Sequence, residues 1–465
     1  MRLVVVLLVM GCGEATSKRR GQPEPTFDPT APEGAENVLV VLLDDVGIDK
    51  VGAYGAHSEA PPTPNLDALA AEGVRFEHAY AHPTCTPSRA ALLTGQYASR
   101  AGLGSWIDPW TDDAALDVGS VTLPRVVEAS PEHAWSSAAV GKWHLTTFLR
   151  KRPGEHPLEL GFGTHRGSLG NPTNSVLAAE DDPRGYFRWE KSVDGDLSWS
   201  ETYMTVDTVD DALALAVELP EPWLLYVAFN AAHTPLHVPP ADLLVEPLSD
   251  APDDAELFGA MVTALDSELG RLFEGLAVRT AAPITTLVIG DNGTPSHAIL
   301  PPLAPERSKG TVSEGGVRVP FIVSGPRVTM PGAVSQAPVH VVDVLPTVAA
   351  IAGVEPSSLV DSRGQPWVLD GADVTPLLAD PSAGRERLLY SEHFGPNGEP
   401  PWFWYGRTLR DDRYKIVISE HAEALFRLSE GLDEGPDLLT TGTTPEDEAA
   451  REHLLAELDA IEQHW

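Results

Sequence analysis

Residues 37–45 of this 465-residue chain read NVLVVLLDD. The segment 38–43 is uniformly apolar and rich in β-branched side chains, a pattern typical of a central strand covered on both faces. The pattern stops abruptly at the acidic pair Asp44 and Asp45. Because open α/β sheets place their functional sites at the carboxyl ends of strands, we expect this acidic pair to lie in a site.

Outward from this segment, other apolar runs repeat the arrangement. Four more of them predict strands, and helical patterns such as residues 257–273 separate them, which indicates α/β layering. Three of the runs also lead directly into polar side chains, namely Lys142 with His144, then His233, then Asp291 with Asn292. The four runs are residues 137–140, 223–229, 286–289 and 319–323.

The chain divides into parts by composition. Residues 13–35, rich in Pro, Gly and charge, predict a flexible spacer that follows an export signal at residues 1–12. Residues 36–378 carry the strand and helix alternation and predict the catalytic α/β domain. Residues 379–465 predict a smaller α+β domain with extended pieces at 388–391, 414–418 and 424–428 and a final helix at 445–463.

The region 151–203 is rich in Gly, Pro and charge and has little periodicity. Long stretches of this kind inside a domain are uncommon and usually run over its surface. We therefore expect this region to be a long surface excursion.

The first twelve residues combine a basic start at Arg2, an apolar run at 3–10, and Gly11 followed by Cys12. A cysteine after such a run resembles the lipobox of bacterial lipoproteins, in which that cysteine is acylated. Ordinary cleavage after Ala15 is the alternative. Both readings predict an exported protein: periplasmic, attached to the cell envelope, or secreted. A lipid on Cys12 would be its only contact with a membrane.

The charge balance excludes several partners. With 68 acidic against 32 basic residues the net charge is -36, which opposes binding to nucleic acid or to an anionic membrane surface. An anionic substrate must therefore be drawn by local positive charge. The two cysteines, Cys12 and Cys85, are not expected to form a disulfide, since one lies in the signal and the other in a motif that has another use for sulfur.

That motif is PTCTPSR at residues 83–89, followed by the apolar residues 90–93. The pattern predicts a helix that Cys85 precedes or opens. Arg89 would then lie in the first turn, where the helix dipole disfavours a cation, so it requires anionic neighbours. Taken alone, Cys85 would be read as a small buried apolar residue and Arg89 as a surface cation.

The string CTPSR resembles the C-x-P-x-R motif of the sulfatase family, within the alkaline phosphatase superfamily. The resemblance continues in order along most of the chain. It implies a large central mixed, mostly parallel sheet flanked by helices, with a smaller α+β C-terminal domain. The matching segments are 37–47, 63–76 (TPNLDALAAEGVRF), 141–145 (GKWHL), 233–239 (HTPLHVP), 290–293 (GDNG), 309–320 (KGTVSEGGVRVP) and 343–347 (DVLPT).

The family resemblance also implies roles. A maturation enzyme would oxidise Cys85 to formylglycine (3-oxoalanine), whose hydrate is the nucleophile, and Arg89 would help to hold it. Lys142 and His144 would hold the hydrate, with His144 taking a proton so that sulfate can leave. His233 and Lys309 would bind the sulfate group and assist the departing alcohol.

A metal site follows from charge. Adjacent carboxylates repel one another, and a divalent cation bound by oxygen ligands offsets that repulsion. Asp44, Asp45, Asp291 and Asn292 offer only oxygen ligands, which favours Ca²⁺ first and Mg²⁺ second. By resemblance, residue 85 would also face the ion. For either acidic pair alone, solvated loop acids or helix caps would be the simpler reading.

The implied reaction is hydrolysis of a sulfate ester to an alcohol and inorganic sulfate through a covalent sulfo-enzyme intermediate. The substrate would be a sulfated small molecule or glycan. Two alternatives remain: a formylglycine-dependent phosphonate monoester hydrolase or phosphodiesterase, and a non-catalytic protein that binds sulfated glycans.

Some further residues keep two readings. His237 would contact substrate or pack, and residues 402–405, WFWY, would line a sugar or aryl subsite or pack between domains. His165 and Arg166 follow a GFG segment at 161–163 where sulfatases usually have an aspartate at the third place, which puts the nearby substrate loop in doubt.

Overall fold

The computed structural model describes residues 30–177, 184–384, 386–428 and 431–463. Most of its strands belong to one large sheet, and a small sheet follows near the C-terminus. The strands are β1 (Asn37–Leu43), β2 (Val74–Phe76), β3 (Ala79–Tyr80), β4 (Ser136–Gly141), β5 (Thr164–Gly167), β6 (Trp189–Val193), β7 (Asp196–Ser200), β8 (Trp223–Ala228), β9 (Ile284–Gly290), β10 (Phe321–Ser324), β11 (Ala333–Ser335), β12 (Val339–His340), β13 (Leu389–Gly395), β14 (Trp404–Arg410), β15 (Tyr414–Ser419) and β16 (Glu423–Arg427).

Helices alternate with these strands, and several begin with standard capping signals. Pro64 takes the first turn of α1, and the Asp253 side chain accepts a hydrogen bond from the Glu256 amide at the start of α7. The helices are α1 (Pro64–Glu72), α2 (Cys85–Thr94), α3 (Ala98–Ala101), α4 (Leu123–Glu128), α5 (His156–Glu159), α6 (Met204–Glu218), α7 (Asp254–Ala277), α8 (Glu314–Val317), α9 (Val344–Ile351), α10 (Thr375–Ala379), α11 (Leu438–Thr441) and α12 (Pro445–Glu462).

The large sheet has ten strands in the order β11-β2-β10-β9-β1-β8-β4-β5-β6-β7. The five adjacent central strands β9, β1, β8, β4 and β5 are parallel to one another. Antiparallel pairing begins on both sides, at β10 and at β6. The carboxyl ends of the central strands therefore lie along one edge of the sheet, as the sequence predicted.

Both faces of the central strand β1 are covered, and all of its residues are buried. Side chains alternate between the faces of a strand. Val38, Val40 and Leu42 belong to the core that includes residues of α2, α4 and α9. Leu39, Val41 and Leu43 belong to a second core, built with α1, α6 and α7. The prediction of a doubly covered central strand is confirmed.

A small antiparallel sheet, in the order β13-β14-β15-β16, forms the C-terminal part together with α12. Leu454 and Leu458 of α12 are buried in the same core as Leu409 and Ile416 of this sheet. The predicted fold class, a mostly parallel mixed sheet with a smaller C-terminal α+β part, is confirmed.

The expectation of a surface excursion at 151–203 is wrong. This region supplies β5, β6 and β7, which extend the large sheet, and Tyr186 and Trp189 are buried. The strand pattern is hidden in the sequence because Lys191 lies on β6 and pairs with Asp207 and Asp211 of α6. When a polar residue on a strand forms ion pairs with a helix elsewhere in the chain, the strand lacks the alternation of apolar and polar residues by which it could be recognised in the sequence.

The export signal, including Cys12, lies outside the described residues. Within the part of the chain that the structure describes, no helix combines the length and apolar character needed to cross a bilayer.

Candidate functional site

The predicted site residues follow four neighbouring strands. Asp44 and Asp45 come directly after β1, and Asp291 and Asn292 directly after β9. Lys142 and His144 follow β4 in the same way. His233 lies a few residues beyond β8, after a tight connection whose backbone is bonded to Asp44. Because these strands are adjacent, the topology brings all of these side chains to one edge.

The carboxylates of Asp44, Asp45 and Asp291 form a compact cluster. Their oxygens lie within 4.8 Å of one another, and all three side chains are buried. Asp45 has a positive φ of 67°, a conformation that costs free energy for a non-glycine residue, and its amide donates to Asp291 Oδ1 at 3.1 Å. The backbone at the end of β1 is thus held so that both aspartates face the same point.

Asn292 completes the oxygen cluster. Its amide Nδ2 donates to Asp45 Oδ1 at 2.9 Å. Its Oδ1 is buried and has no hydrogen-bond partner among the described atoms. A buried acceptor without a donor is costly, so this oxygen is suited to a cation.

Cys85 is the first residue of α2, and every residue of that helix is buried. Its Sγ lies 3.7 Å from Asp44 Oδ1, 3.7 Å from Lys142 Nζ and 3.8 Å from Lys309 Nζ. Burial raises the pKa of the Cys85 thiol to about 12, although Lys142 and Lys309 act in the opposite direction. The unmodified thiol is therefore protonated and a poor nucleophile at neutral pH.

Cationic side chains surround the carboxylates. Arg89 donates to Asp291 Oδ2 through two nitrogens, at 2.8 and 3.2 Å, so the anionic neighbour that its position in α2 required is present. Lys142 pairs with Asp44, and Lys309 pairs with Asp45. Burial favours the neutral form of Asp44, but Lys142 and the other cations outweigh it and hold the pKa of Asp44 well below its usual range.

The pKa of Asp291 moves in the opposite direction. Burial and the neighbouring charge of Asp44 raise the pKa of Asp291 in spite of Arg89. The carboxylates of Asp44 and Asp291 are so close that ionising both of them requires additional positive charge. A divalent cation supplies that charge, and the donor set of Asp44, Asp45, Asp291 and Asn292 consists of the oxygens that Ca²⁺ and Mg²⁺ prefer. The residues therefore fit a hard divalent ion.

The two histidines are held as neutral imidazoles. Burial, and then the charge of Lys142, lower the pKa of His144 well below its usual value and that of His233 to about 4. His144 has a positive φ of 54°, and its Nδ1 is buried without a hydrogen-bond partner among the described atoms. His233 lies with Asp44 and Cys85 in a group whose ligand atoms are within 4.8 Å.

Two residues that make contacts in the site, Thr86 and Ile107, were missed by sequence reasoning. The Thr86 hydroxyl donates to the His144 carbonyl at 3.0 Å and accepts from the Ile107 amide at 3.2 Å. The Ile107 carbonyl lies 3.3 Å from His144 Nε2. Thr86 stands inside the motif at 83–89, but nothing local in the sequence marks the loop around Ile107.

The site opens on one side. Asp44, Arg89, Lys142 and His144 are buried, whereas His233 is only partly buried and the Lys309 side chain keeps 19 % exposure. His233 and Lys309 are therefore the members of the site that solvent reaches. A cavity of about 950 Å³ lies elsewhere, between the edge of the large sheet and α12, and the described residues that line it include none of these side chains.

The structure also shows where the residues lie for which the sequence allowed two interpretations. His237 packs in an aromatic cluster, with its ring 4.4 Å from that of Tyr186. His165 lies on β5 and is buried against Trp143, and Arg166 pairs with Glu218. In the segment 402–405, Trp402 stacks on Phe394 at 3.9 Å, whereas Phe403 is 84 % exposed.

Solved structures share this fold. The crystal structure of Ps i-CgsB in complex with k-i-k-neocarrahexaose superposes with a TM-score of 0.73, covers 92% of both chains and is 25% identical. The PsFucS1 sulfatase from Pseudoalteromonas sp. superposes with a TM-score of 0.66 over 91% of both chains at 23% identity. The architecture is thus the alkaline-phosphatase-like fold of sulfatases.

Sequence comparison gives the family. The sequence model of the sulfatase family matches residues 36–354, and the chain belongs to that family. Arylsulfatase J of Mus musculus is 31% identical over 360 residues, which cover 76% of this chain and 57% of that protein. N-acetylgalactosamine-6-sulfatase of Sus scrofa is 28% identical over 473 residues, which cover 95% of this chain and 80% of that protein. These relatives are named as sulfuric ester hydrolases.

Proposed function

We propose that this protein hydrolyses sulfate esters to an alcohol and inorganic sulfate, with residue 85 converted to formylglycine. The observation that carries the proposal is the placement of Cys85 Sγ within 3.7 to 3.8 Å of Asp44, Lys142 and Lys309. A thiol whose pKa burial raises to about 12 has little use as a nucleophile there. An oxygen nucleophile at the same position would face both cations.

The charges of the site favour an anion once a divalent ion is bound. Arg89, Lys142 and Lys309 balance the carboxylates of Asp44, Asp45 and Asp291. A divalent ion on those carboxylates and Asn292 would make the site positive, although the whole chain carries a net charge of -36. Sulfate esters are thus attracted to this one place, where the preorganised charge also stabilises the transition state. Ca²⁺ is our first choice and Mg²⁺ the second.

The open side of the site is suited to hold the sulfate group. Lys309 and His233 are its partly exposed members, so both can reach an ester that enters from solvent. The Lys309 ammonium is stabilised mainly by Asp45 against the cost of burial, which raises its pKa above the usual value. Lys309 therefore binds the sulfate oxygens as a permanent cation. The Nδ1 of neutral His233 donates to the Thr234 carbonyl at 2.8 Å, so His233 must first take up a proton at Nε2 to donate a hydrogen bond to the departing alcohol.

The buried side is suited to hold residue 85. Lys142 points its ammonium at the position of Cys85 Sγ, and Arg89 fixes Asp291 and the Lys142 carbonyl, the latter at 2.9 Å. His144 is neutral, because burial lowers its pKa, and is therefore free to accept a proton. A formylglycine hydrate there would supply one hydroxyl to attack sulfur and a second whose deprotonation expels sulfate and restores the aldehyde.

Further parts of the proposal concern the whole protein. We assign residues 36–378 to the catalytic domain and 379–465 to the C-terminal domain. The partners are a sulfated small molecule or glycan and a formylglycine-generating maturation enzyme. The protein is exported, with a lipid on Cys12 or with its signal cleaved after Ala15.

A substrate panel tests the proposal. The purified protein is first checked by mass spectrometry for the loss of about 18 Da at residue 85 that thiol-to-aldehyde conversion produces. It is then assayed on p-nitrophenyl sulfate and on phenyl phosphonate esters. Dominant turnover of the sulfate supports the proposal, and dominant turnover of the phosphonate would reassign the enzyme. Binding of sulfated glycans without any turnover would identify a non-catalytic protein.

A further inference from the structure

A cleft of about 510 Å³ lies between the loop that follows α3 and the turn that follows β13. This volume is within the range of roughly 300 to 1,000 Å³ common for small-molecule sites. Asn397 joins the two walls, since its Oδ1 accepts from the Ser105 amide at 3.0 Å and its Nδ2 donates to Asp112 Oδ2 at 2.8 Å. The residues that matter here are Trp106, Asp108, Asp112, Asp113, Asn397 and Trp404.

The cleft is connected to the reaction site through the backbone of Ile107. Ile107 lies between Trp106 and Asp108 in the sequence, and its peptide groups are bonded to Thr86 and His144. Thr86 is the residue after Cys85. The loop that forms one wall of the cleft is therefore bonded to the residue that follows the proposed nucleophile.

Aromatic rings line the cleft. Trp106 is 51% exposed, so a large part of its indole is available for contact. Trp404 is supported from behind by His393, with ring centroids 4.4 Å apart. Exposed aromatic surface next to a site marks a contact for a flat apolar group, such as an aryl ring or the C–H face of a sugar.

The cleft is acidic. Asp108, Asp112 and Asp113 line it, and among the residues that the structure describes no Lys, Arg or His lines it. Backbone amides fix two of these carboxylates: Trp110 donates to Asp108 at 2.9 Å, and Ala114 donates to Asp112 at 3.0 Å. A second anionic group on the substrate would be repelled here, whereas a neutral or cationic group would not.

We propose that this cleft holds the alcohol portion of the substrate and selects one whose only anionic group is the sulfate ester being cleaved. The proposal rests on the proposed sulfatase activity. On this proposal the cleft accepts aryl and sugar monosulfates that are otherwise neutral or cationic. It rejects polysulfated or uronate-bearing chains.

The test uses aryl sulfates that carry a short alkyl arm para to the ester, ending in a carboxylate, a primary amide or a trimethylammonium group. The alkyl arm keeps the reactivity of the ester the same. On protein verified to contain formylglycine, the amide and ammonium substrates should exceed the carboxylate substrate in kcat/KM by about tenfold at low salt, and the difference should shrink as salt rises. Equal kcat/KM for all three arms would overturn the proposal.

Variants locate the effect. The double variant Asp112→Asn/Asp113→Asn should bring the carboxylate-to-amide ratio of kcat/KM close to one, because asparagine keeps the shape and removes the charge. Glu452→Gln, which neutralises an exposed acid on α12, should keep the ratio of the parent. A double variant with the parent's ratio would also overturn the proposal.

Trp106→Ala tests the ring contact. It should raise KM for the amide-armed substrate with little change in kcat, since the contact is equal in the ground and transition states. An unchanged KM would refute the aromatic part. If verified protein turns over none of the three sulfates, the proposed function itself fails, and the cleft proposal fails with it.

Discussion

Lys415 on β15 donates a hydrogen bond to Glu314 Oε1 at 2.9 Å, which joins the C-terminal sheet to the first residue of α8. Both side chains are buried, and Lys415 also contacts Glu434 at 3.1 Å. Glu314 follows Lys309 by only a few residues in the segment 309–320. The C-terminal part of the chain thus helps to hold the loop that carries Lys309.

Lys415→Met should destabilise the protein by about 3 to 5 kcal/mol, because it leaves two buried carboxylates without their shared cation. The free energy of unfolding in urea measures this. Arg413→Met is the matched control, since Arg413 pairs with Glu446 on the surface, and we expect no measurable change there. Equal losses for the two variants would contradict a special role for the buried pair.

Cys85→Ala should abolish turnover and leave the fold intact. The substitution changes one small buried side chain at the start of α2, so the thermal midpoint should change little, while the proposed nucleophile is lost. Cys85→Ser should fail as well, unless a serine-type maturation system acts on it. Activity of Cys85→Ala equal to that of the parent would exclude residue 85 as the nucleophile.

Removal of a divalent ion should slow the enzyme and lower its stability. After chelation, Ca²⁺ should restore the rate and raise the thermal midpoint, because a ligand that binds only the folded state stabilises it. Asp45→Asn should lose the Ca²⁺-dependent rise in the midpoint, a readout that does not depend on turnover. A Ca²⁺ response of Asp45→Asn identical to the parent's would argue against this carboxylate as a ligand.

Glu392 should make stability depend on pH. It is buried, and burial raises its pKa from 4.5 to about 7, against hydrogen bonds from Ser99 and Tyr390. Because the folded pKa lies above the unfolded value, this contribution is fully present at low pH and is lost as pH rises through about 7.

Glu392→Gln removes that titration and should flatten the profile. The difference between the unfolding free energies of parent and variant should change by up to ~3 kcal/mol across this window. Denaturant titrations at several pH values measure it. Glu452→Gln changes an exposed acid on α12 and should follow the parent's pH profile. A pH profile of Glu392→Gln identical to that of the parent would contradict the assignment of this pH dependence to Glu392.

Much of the site's placement could be predicted from the sequence because it follows from one rule. Apolar runs that end in polar residues gave the strand ends at Asp44, Lys142 and Asp291, and parallel pairing brings such ends together. The predicted position of Arg89 near the start of α2 also required an anionic neighbour, which is Asp291. The roles assigned to these residues stay predictions until the variants are measured.

Other features depend on contacts that no local pattern contains. β14 was not predicted, because it begins with aromatic residues and carries Arg407, whose charge is matched by Glu462 on α12. The loop around Ile107 likewise acquires its place only through Thr86 and His144. In each case the partner lies far away in the chain, so the residue type alone gave no signal.

The pairing of β1 with β8 has a consequence for synthesis of the chain. Asn37 at the start of β1 accepts a hydrogen bond from the Trp223 amide, 186 residues later. At ribosomal rates of roughly 5 to 20 residues per second, that delay lasts about ten to forty seconds. During this time the apolar segment β1 has neither of its partner strands to pair with, so a cell that makes this protein must keep it from aggregating until β8 has been synthesised.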